Sequence, residues 1–64
     1  MSQEGKKQAL RAIGYLHYCR NNLQEARSHL AALRESAMIV SSVEMETKID
    51  DLISQLNAKL ETHS

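Results

Sequence analysis

Residues 36–45, SAMIVSSVEM, decide how this chain folds, because they separate two stretches with helical patterns. Ile39, Val40 and Val43 are β-branched, and such residues are enriched in strands. A strand must pair its backbone N–H and C=O groups, and the rest of the sequence offers no second strand. We therefore predict that residues 37–42 form a short strand that pairs with the same segment of a second copy, as a two-stranded antiparallel ribbon across a two-fold axis.

The same stretch fits two other structures. Residues 36–43 are also compatible with a frayed helix end and an apolar loop, or with a first helix that continues through Val40. Short apolar runs do not discriminate between strand and helix by pattern alone. The fold class is mainly α in each case: a helix–strand–helix hairpin in an intertwined homodimer or, as the alternative, an all-α hairpin that dimerises into a four-helix bundle.

The first segment predicts one long helix from about residue 3 to about residue 35. Ser2 is a suitable N-cap, and Glu4 would lie in the first turn, where a carboxylate favours the helix dipole. Apolar residues then recur every seven positions in two registers that form one seam for another helix. The first register contains Ala9, Leu16, Leu23, Leu30 and Ala37, and the second contains Ala12, Cys19, Ala26, Leu33 and Val40.

The last third of the chain predicts a second helix from about residue 43 to about residue 62. Ser41 and Glu44 have the spacing of a capping box. The apolar residues that follow fall on one face of a helix: Met45, Ile49, Leu52, Ile53, Leu56 and Leu60. With no proline and two glycines, residues 1–64 are expected to form a single helical hairpin domain.

A core built from one copy is small for a chain of 64 residues, since domains of about 60 residues bury only about 60% of the surface that the unfolded chain exposes. One cysteine, Cys19, allows no intrachain disulfide, so oligomerisation is the remaining way to add buried surface. We predict a homodimer. Its interface would contain Leu16, Cys19, Leu23, Leu30, Leu33, Ile39, Val40, Val43, Ile49, Leu52 and Leu56.

The N-terminal half is apolar well beyond this seam, which indicates a further partner. An unidentified protein or peptide target could lay a helix into an apolar groove on the dimer. The candidate groove residues are Leu10, Ile13, Tyr15, Tyr18, Met38, Ile53 and Leu56.

Arg20, Arg27 and Arg34 recur every seven residues, with Lys6 on the same line, and form a basic stripe beside the seam. The favoured interpretation is that the stripe pairs with acidic residues of the second helix or of its mate, which are Glu44, Glu46, Asp50 and Asp51. The alternative is a nucleic-acid-binding dimer that uses Lys6, Lys7, Arg11, Arg20 and Arg27. Eight basic and eight acidic residues give a net charge of zero, which makes nucleic acid an unlikely partner.

No motif predicts catalysis, a cofactor or a metal. His17, His29 and His63 do not share a spacing that would bring three ligands to one ion. Cys19 lacks a base on its own helical face, since His17 points elsewhere, and a buried small apolar role fits it better. The sequence also lacks an apolar run of the roughly 20 residues that cross a bilayer and the apolar core of a signal peptide. A cytoplasmic protein, and not an enzyme, is expected.

Residues 14–33, GYLHYCRNNLQEARSHLAAL, resemble a single tetratricopeptide helix pair. Gly14, a turn at Asn21 and Asn22, and then Ala26 and Leu30 carry the resemblance, which would split the first helix at residue 21. The chain departs from the family in having one unit, no closing proline, and His17 where an aromatic residue is expected. A helical co-chaperone of a helical-repeat protein is a weaker third function.

A long amphipathic helix, the strand-like AMIVSSVEM and a second amphipathic helix, in a neutral chain of this length, resemble the small early-region proteins of lambdoid temperate phages. These proteins are encoded between the exonuclease and excisionase genes. The resemblance implies a homodimer that acts on host or phage development without catalysis, in the host cytoplasm. The function expected from the sequence is thus a non-enzymatic, dimeric interaction protein, an early regulator.

Overall fold

A computed structural model describes residues 2–63, and it folds them into two long antiparallel α-helices. The first, α1, is Gln3–Ala32, and the second, α2, is Ser36–His63. The molecule measures 46 × 14 × 10 Å, so it is a narrow hairpin one helix thick. The expectation of a mainly α hairpin is confirmed, in its all-α form.

The start of α1 follows the prediction. The Oγ of Ser2 accepts a hydrogen bond from the backbone N–H of Gly5 at 3.0 Å, which satisfies one of the donors that a helix N-terminus leaves without a partner. The helix then runs without a break through Asn21 and Asn22. The split at residue 21, which a tetratricopeptide unit requires, is therefore wrong. The heptad pattern crosses the two asparagines without a change of phase, and this continuity favours one helix.

A three-residue turn at residues 33–35 reverses the chain. The N–H of Glu35 donates to the carbonyl of Leu30 at 3.0 Å, and the N–H of Arg34 donates to the carbonyl of Ala31 at 3.1 Å. Together with the left-handed φ of 58° at Arg34, these bonds make a Schellman motif. A glycine usually occupies the left-handed position. Because an arginine occupies it here, the sequence contains no recognisable signal for the end of α1.

The predicted strand is wrong, because residues 37–42 lie in α2, which begins at Ser36. Among residues 2–63 the structure has no strand, so no segment is available to form the predicted intermolecular ribbon. Ile39 fits the helix as the first apolar residue of the face that α2 turns toward α1, and tertiary packing of this kind overrides a local β propensity. The capping box is wrong for the same reason, since Ser41 and Glu44 lie inside the helix.

The contact between the helices follows one line on each of them. On α1 the contact is made by the first predicted register and by the residues four positions after its members. These buried and half-buried residues are Ala9, Ile13, Leu16, Arg20, Leu23, Arg27 and Leu30. On α2 it uses Ile39, Ser42, Glu46, Ile49, Ile53, Leu56 and Leu60. The core is thus a single ribbon of side chains between two helices.

This core is thin. Among the described residues, the buried apolar residues are Ala9 and Ile53, each of which is 7% exposed, and no large side chain is fully buried. Many large apolar residues remain in contact with solvent, including Met38, Met45 and Leu52. A pair of helices has only one mutual line of contact, so the other apolar positions of each helix have nothing to cover them.

Candidate functional site

A polar cluster interrupts the apolar line in the half of the hairpin nearest the turn. The Nε of Arg27 donates to the Oγ of Ser42 at 3.3 Å, and its Nη2 donates to a carboxylate oxygen of Glu46. Ser42 is 5% exposed and in turn donates to the backbone carbonyl of Leu23 at 3.4 Å. Because each buried polar group has a partner, the cluster fixes the register of one helix against the other.

A second charged contact lies farther from the turn. The Nη1 of Arg20 donates to the Oδ1 of Asp50 at 3.0 Å, and its Nη2 lies 2.9 Å from the Nδ1 of His17. The Nε of Arg20 is buried without a hydrogen-bond partner. Arg20 and Arg27 therefore do what the favoured interpretation of the basic stripe predicted: they pair with acidic residues of the second helix. Two of the five cations of the alternative nucleic-acid surface, Arg20 and Arg27, are therefore held in ion pairs within the chain.

We expect the two ion pairs to contribute unequally to stability. The side chains of Arg27 and Glu46 are 27% and 22% exposed, whereas Asp50 in the other pair is 48% exposed. Double-mutant cycles with Arg27→Met and Glu46→Gln, and with Arg20→Met and Asp50→Asn, measured by urea unfolding, separate the two. The coupling should be about 1–2 kcal/mol for the first pair and below about 1 kcal/mol for the second, because exposed pairs are screened by solvent. Equal couplings would contradict the different burial.

One side of the hairpin carries apolar residues from both helices. A groove of about 280 Å³ opens there between the helices, and its lining is Leu23, Ala26, Leu30, Met38, Ser41, Ser42 and Met45. Residues seven positions apart lie along one line of a helix. Cys19 and Ala12 therefore continue the line of Ala26, and Leu52 continues the line of Met45. We call the surface made by Ala12, Cys19, Ala26, Met38, Met45 and Leu52 the apolar face.

The two helices contribute different side chains to the apolar face. The α1 line consists of small residues, of which Ala12 and Cys19 are half-buried and Ala26 is exposed. The α2 line consists of long flexible residues: Met38, Met45 and Leu52 are 56%, 53% and 47% exposed. Sequence reasoning placed the α1 line in the seam but did not recognise the line of Met38, Met45 and Leu52 on α2. The spacing of seven residues between Met38, Met45 and Leu52 is the sequence signal that identifies this line.

The predicted dimer-interface residues fall into three groups. Six of them lie half-buried between α1 and α2 of one chain: Leu16, Leu23, Leu30, Ile39, Ile49 and Leu56. Cys19 and Leu52 lie on the apolar face. The remaining three, Leu33, Val40 and Val43, are 70%, 57% and 44% exposed and lie outside the groove lining.

The predicted partner-groove residues are not brought together as one groove. Ile13, Ile53 and Leu56 lie between the two helices, and Met38 lies near the turn. Leu10, Tyr15 and Tyr18 are exposed on α1, where the two tyrosine rings lie 6.5 Å apart between centroids. Tyr15 and Tyr18 are the aromatic residues of this chain, and they form an exposed pair on the outside of the hairpin.

The described residues contain no cluster of three or more histidine, cysteine or acidic side chains placed to hold a metal ion. His17 contacts Arg20, His29 lies exposed in the last turn of α1, and the side chain of His63 lies outside the part that the structure describes. Neither described helix has a stretch long and apolar enough to span a bilayer.

Comparison with known proteins finds no matching family model, no matching curated protein and no matching solved structure. The resemblance to lambdoid phage proteins depended in part on a strand between the helices, and residues 37–42 are helical. The surfaces of this hairpin are therefore the features that bear on its function.

Proposed function

We propose that this chain is a non-enzymatic interaction protein that works as a homodimer, with the apolar face of each hairpin covered by the other copy. The observation that supports the proposal is the apolar face itself. It includes an open groove that both helices line, and exposed apolar surface of this kind marks interaction sites on proteins. Two hairpins joined by such faces form a four-helix bundle.

The exposed area is large enough for a protein–protein interface of standard size. A compact monomer of 7.2 kDa exposes about 4,100 Å² by the usual scaling of area with mass. This chain exposes 4927 Å². The excess, about 800 Å², equals what each partner buries in a protein–protein interface of standard size. A second copy would supply the layer of packing that the single hairpin lacks.

The dimer would leave the tyrosine pair on its outer surface. Tyr15 and Tyr18 are 68% and 63% exposed, and tyrosine is enriched among the residues that contribute most to binding. We propose that a helical or peptide target of the dimer contacts this pair and Leu10. A role as an early phage regulator is part of the proposal and is supported by length, neutral charge and two amphipathic helices.

Thermal unfolding at several concentrations tests the proposal. If two folded chains must separate as they unfold, mass action makes Tm rise with concentration. With an unfolding enthalpy of about 90 kcal/mol for two chains of this length, Tm should rise by about 5 °C for each tenfold increase in concentration. A Tm that is independent of concentration over a hundredfold range would contradict the homodimer.

A further inference from the structure

Gly14 is a glycine near the middle of α1 that no contact within the hairpin requires. A Cβ placed on it would meet no atom within 4 Å, and its φ is not positive. Glycine inside a helix is less stable than alanine, because it loses more backbone entropy on folding. The fold of one chain therefore does not explain why this position lacks a side chain.

Gly14 forms a notch on the side of α1 that faces away from α2. It lies five residues after the buried Ala9, and five residues correspond to about 140° around a helix. Neighbours on a helix surface are three and four positions apart, so Leu10, Arg11 and Tyr18 are among the residues that surround the notch. Leu10 and Tyr18 are 60% and 63% exposed. A missing side chain between large exposed ones leaves room for a side chain of another helix, as in the holes of coiled coils.

The charges nearest the notch are positive. Residues 5–24 contain four basic residues and no acidic residue. Of the basic ones, Lys7 and Arg11 are exposed, and no ion pair among the described residues includes either of them. Each lies two residues from Ala9, which is about 200° around the helix, so both lie on the side away from α2. This side of α1 suits a partner that brings negative charge.

We propose that Lys7, Leu10, Arg11, Gly14 and Tyr18 bind an acidic amphipathic helix of a partner protein. The inference rests on the proposed function, since it specifies the target that contacts the tyrosine pair and Leu10. One apolar side chain of the partner enters the notch at Gly14. Two carboxylates of the partner lie level with Lys7 and Arg11, which are about 6 Å apart along the helix axis. The apolar contact supplies most of the affinity, and the charges select the partner.

A single-stranded nucleic acid is the other ligand that tyrosines and cations together can bind. The observations favour a helix. A nucleic-acid strand needs cations repeated along its path, whereas Lys7 and Arg11 are two exposed cations one turn apart and can contact few phosphates. Leu10 offers an aliphatic side chain where a base stacks on an aromatic one.

Selection from a displayed peptide library tests the chemistry of the partner with the intact chain. The library consists of helical peptides of about 20 residues on an alanine-rich frame, with one face randomised. The peptides that bind most tightly should carry an excess of glutamate and aspartate and at least one large apolar residue on that face. Enrichment of neutral or basic faces would overturn the proposal, and so would a library that yields no binder.

Gly14→Leu separates binding from folding. It should raise the Kd of the selected peptides at least about tenfold, because the notch is filled. Its Tm should not fall, because leucine favours helix and a side chain here starts in open space. The matched control is Ser28→Leu, at an exposed position about 21 Å farther along α1, and it should leave Kd unchanged. Equal Kd values for the two variants would contradict a notch at Gly14.

Arg11→Gln and Lys48→Gln each remove one exposed positive charge, the first from α1 and the second from α2. Arg11→Gln should raise Kd about two- to fivefold and reduce its dependence on salt, because exposed ion pairs are weak and screened. Lys48→Gln should change neither. Equal effects of the two variants would show that net charge, and not this surface, attracts the peptides.

A labelled single strand of about 20 thymidine nucleotides is the second probe. If it binds more tightly than the selected peptides, the ligand is a nucleic acid and the proposal is wrong. If the peptides require Tyr15 and Tyr18 but have no acidic excess and bind Gly14→Leu equally well, the target surface of the proposed function stands and the acidic helix fails. A single chain in sedimentation would contradict the homodimer and leave this surface as it is.

Discussion

Replacing Met45 by aspartate is expected to raise the dissociation constant of the dimer by a factor of about 100 or more. Met45 is 53% exposed in the single hairpin, and in the dimer it would be covered by the other copy. Burying a carboxylate without a partner costs several kcal/mol, and a factor of 100 corresponds to only about 2.7 kcal/mol. Sedimentation equilibrium measures the change as a loss of dimer at a fixed concentration.

The matched control is Val40→Asp. Val40 is also an exposed apolar residue of α2, at 57%, but it lies five residues from Met45, which is about 140° around the helix. The heptad pattern placed Val40 in the dimer seam, and the structure places it away from the apolar face. Val40→Asp should leave the dissociation constant within about threefold of its original value, since isolated surface substitutions change free energy by about 0.5 kcal/mol. Equal weakening by both variants would contradict the assignment of the interface.

Ile53→Ala is expected to lower the free energy of unfolding by about 2–4 kcal/mol, which is large for a chain of this size. Ile53 is 7% exposed and is one of the two buried apolar residues of the described chain. Removing most of its side chain loses buried apolar surface and leaves a cavity between α1 and α2. The shift in Tm should be at least about 10 °C, and circular dichroism during thermal unfolding measures it.

Val40→Ala controls for the gain in helix propensity that alanine brings when it replaces a β-branched residue. This variant should change the free energy of unfolding by no more than about 0.5 kcal/mol, because the side chain of Val40 is mostly in solvent. If Ile53→Ala and Val40→Ala were equally mild, the contact line between the helices would be different from the one described.

The hairpin could be predicted from the sequence because two heptad patterns specify two amphipathic helices, and Ser2 marks where the first begins. The point at which α1 ends could not be predicted in the same way. A Schellman turn normally shows itself by glycine or asparagine, and here Arg34 takes the left-handed conformation. Without that signal the β-branched residues that follow suggested a strand.

The candidate surface was only partly predictable, and the reason is the width of the apolar stripe. Both Ile13 and Ala12 continue the pattern of Ala9, and a pattern cannot say which of the two lines meets the second helix of the same chain. The structure assigns Ile13, Arg20 and Arg27 to that contact. The line of Ala12, Cys19 and Ala26 is left on the apolar face, where long residues of α2 join it.

Sedimentation equilibrium of the unmodified chain tests the central claim most directly, with helicity measured on the same samples. We predict a mass of twice 7.2 kDa at micromolar concentrations, and a fall in mass and in helicity together on dilution. A species with the mass of one chain that keeps its full helicity at every concentration would contradict the account.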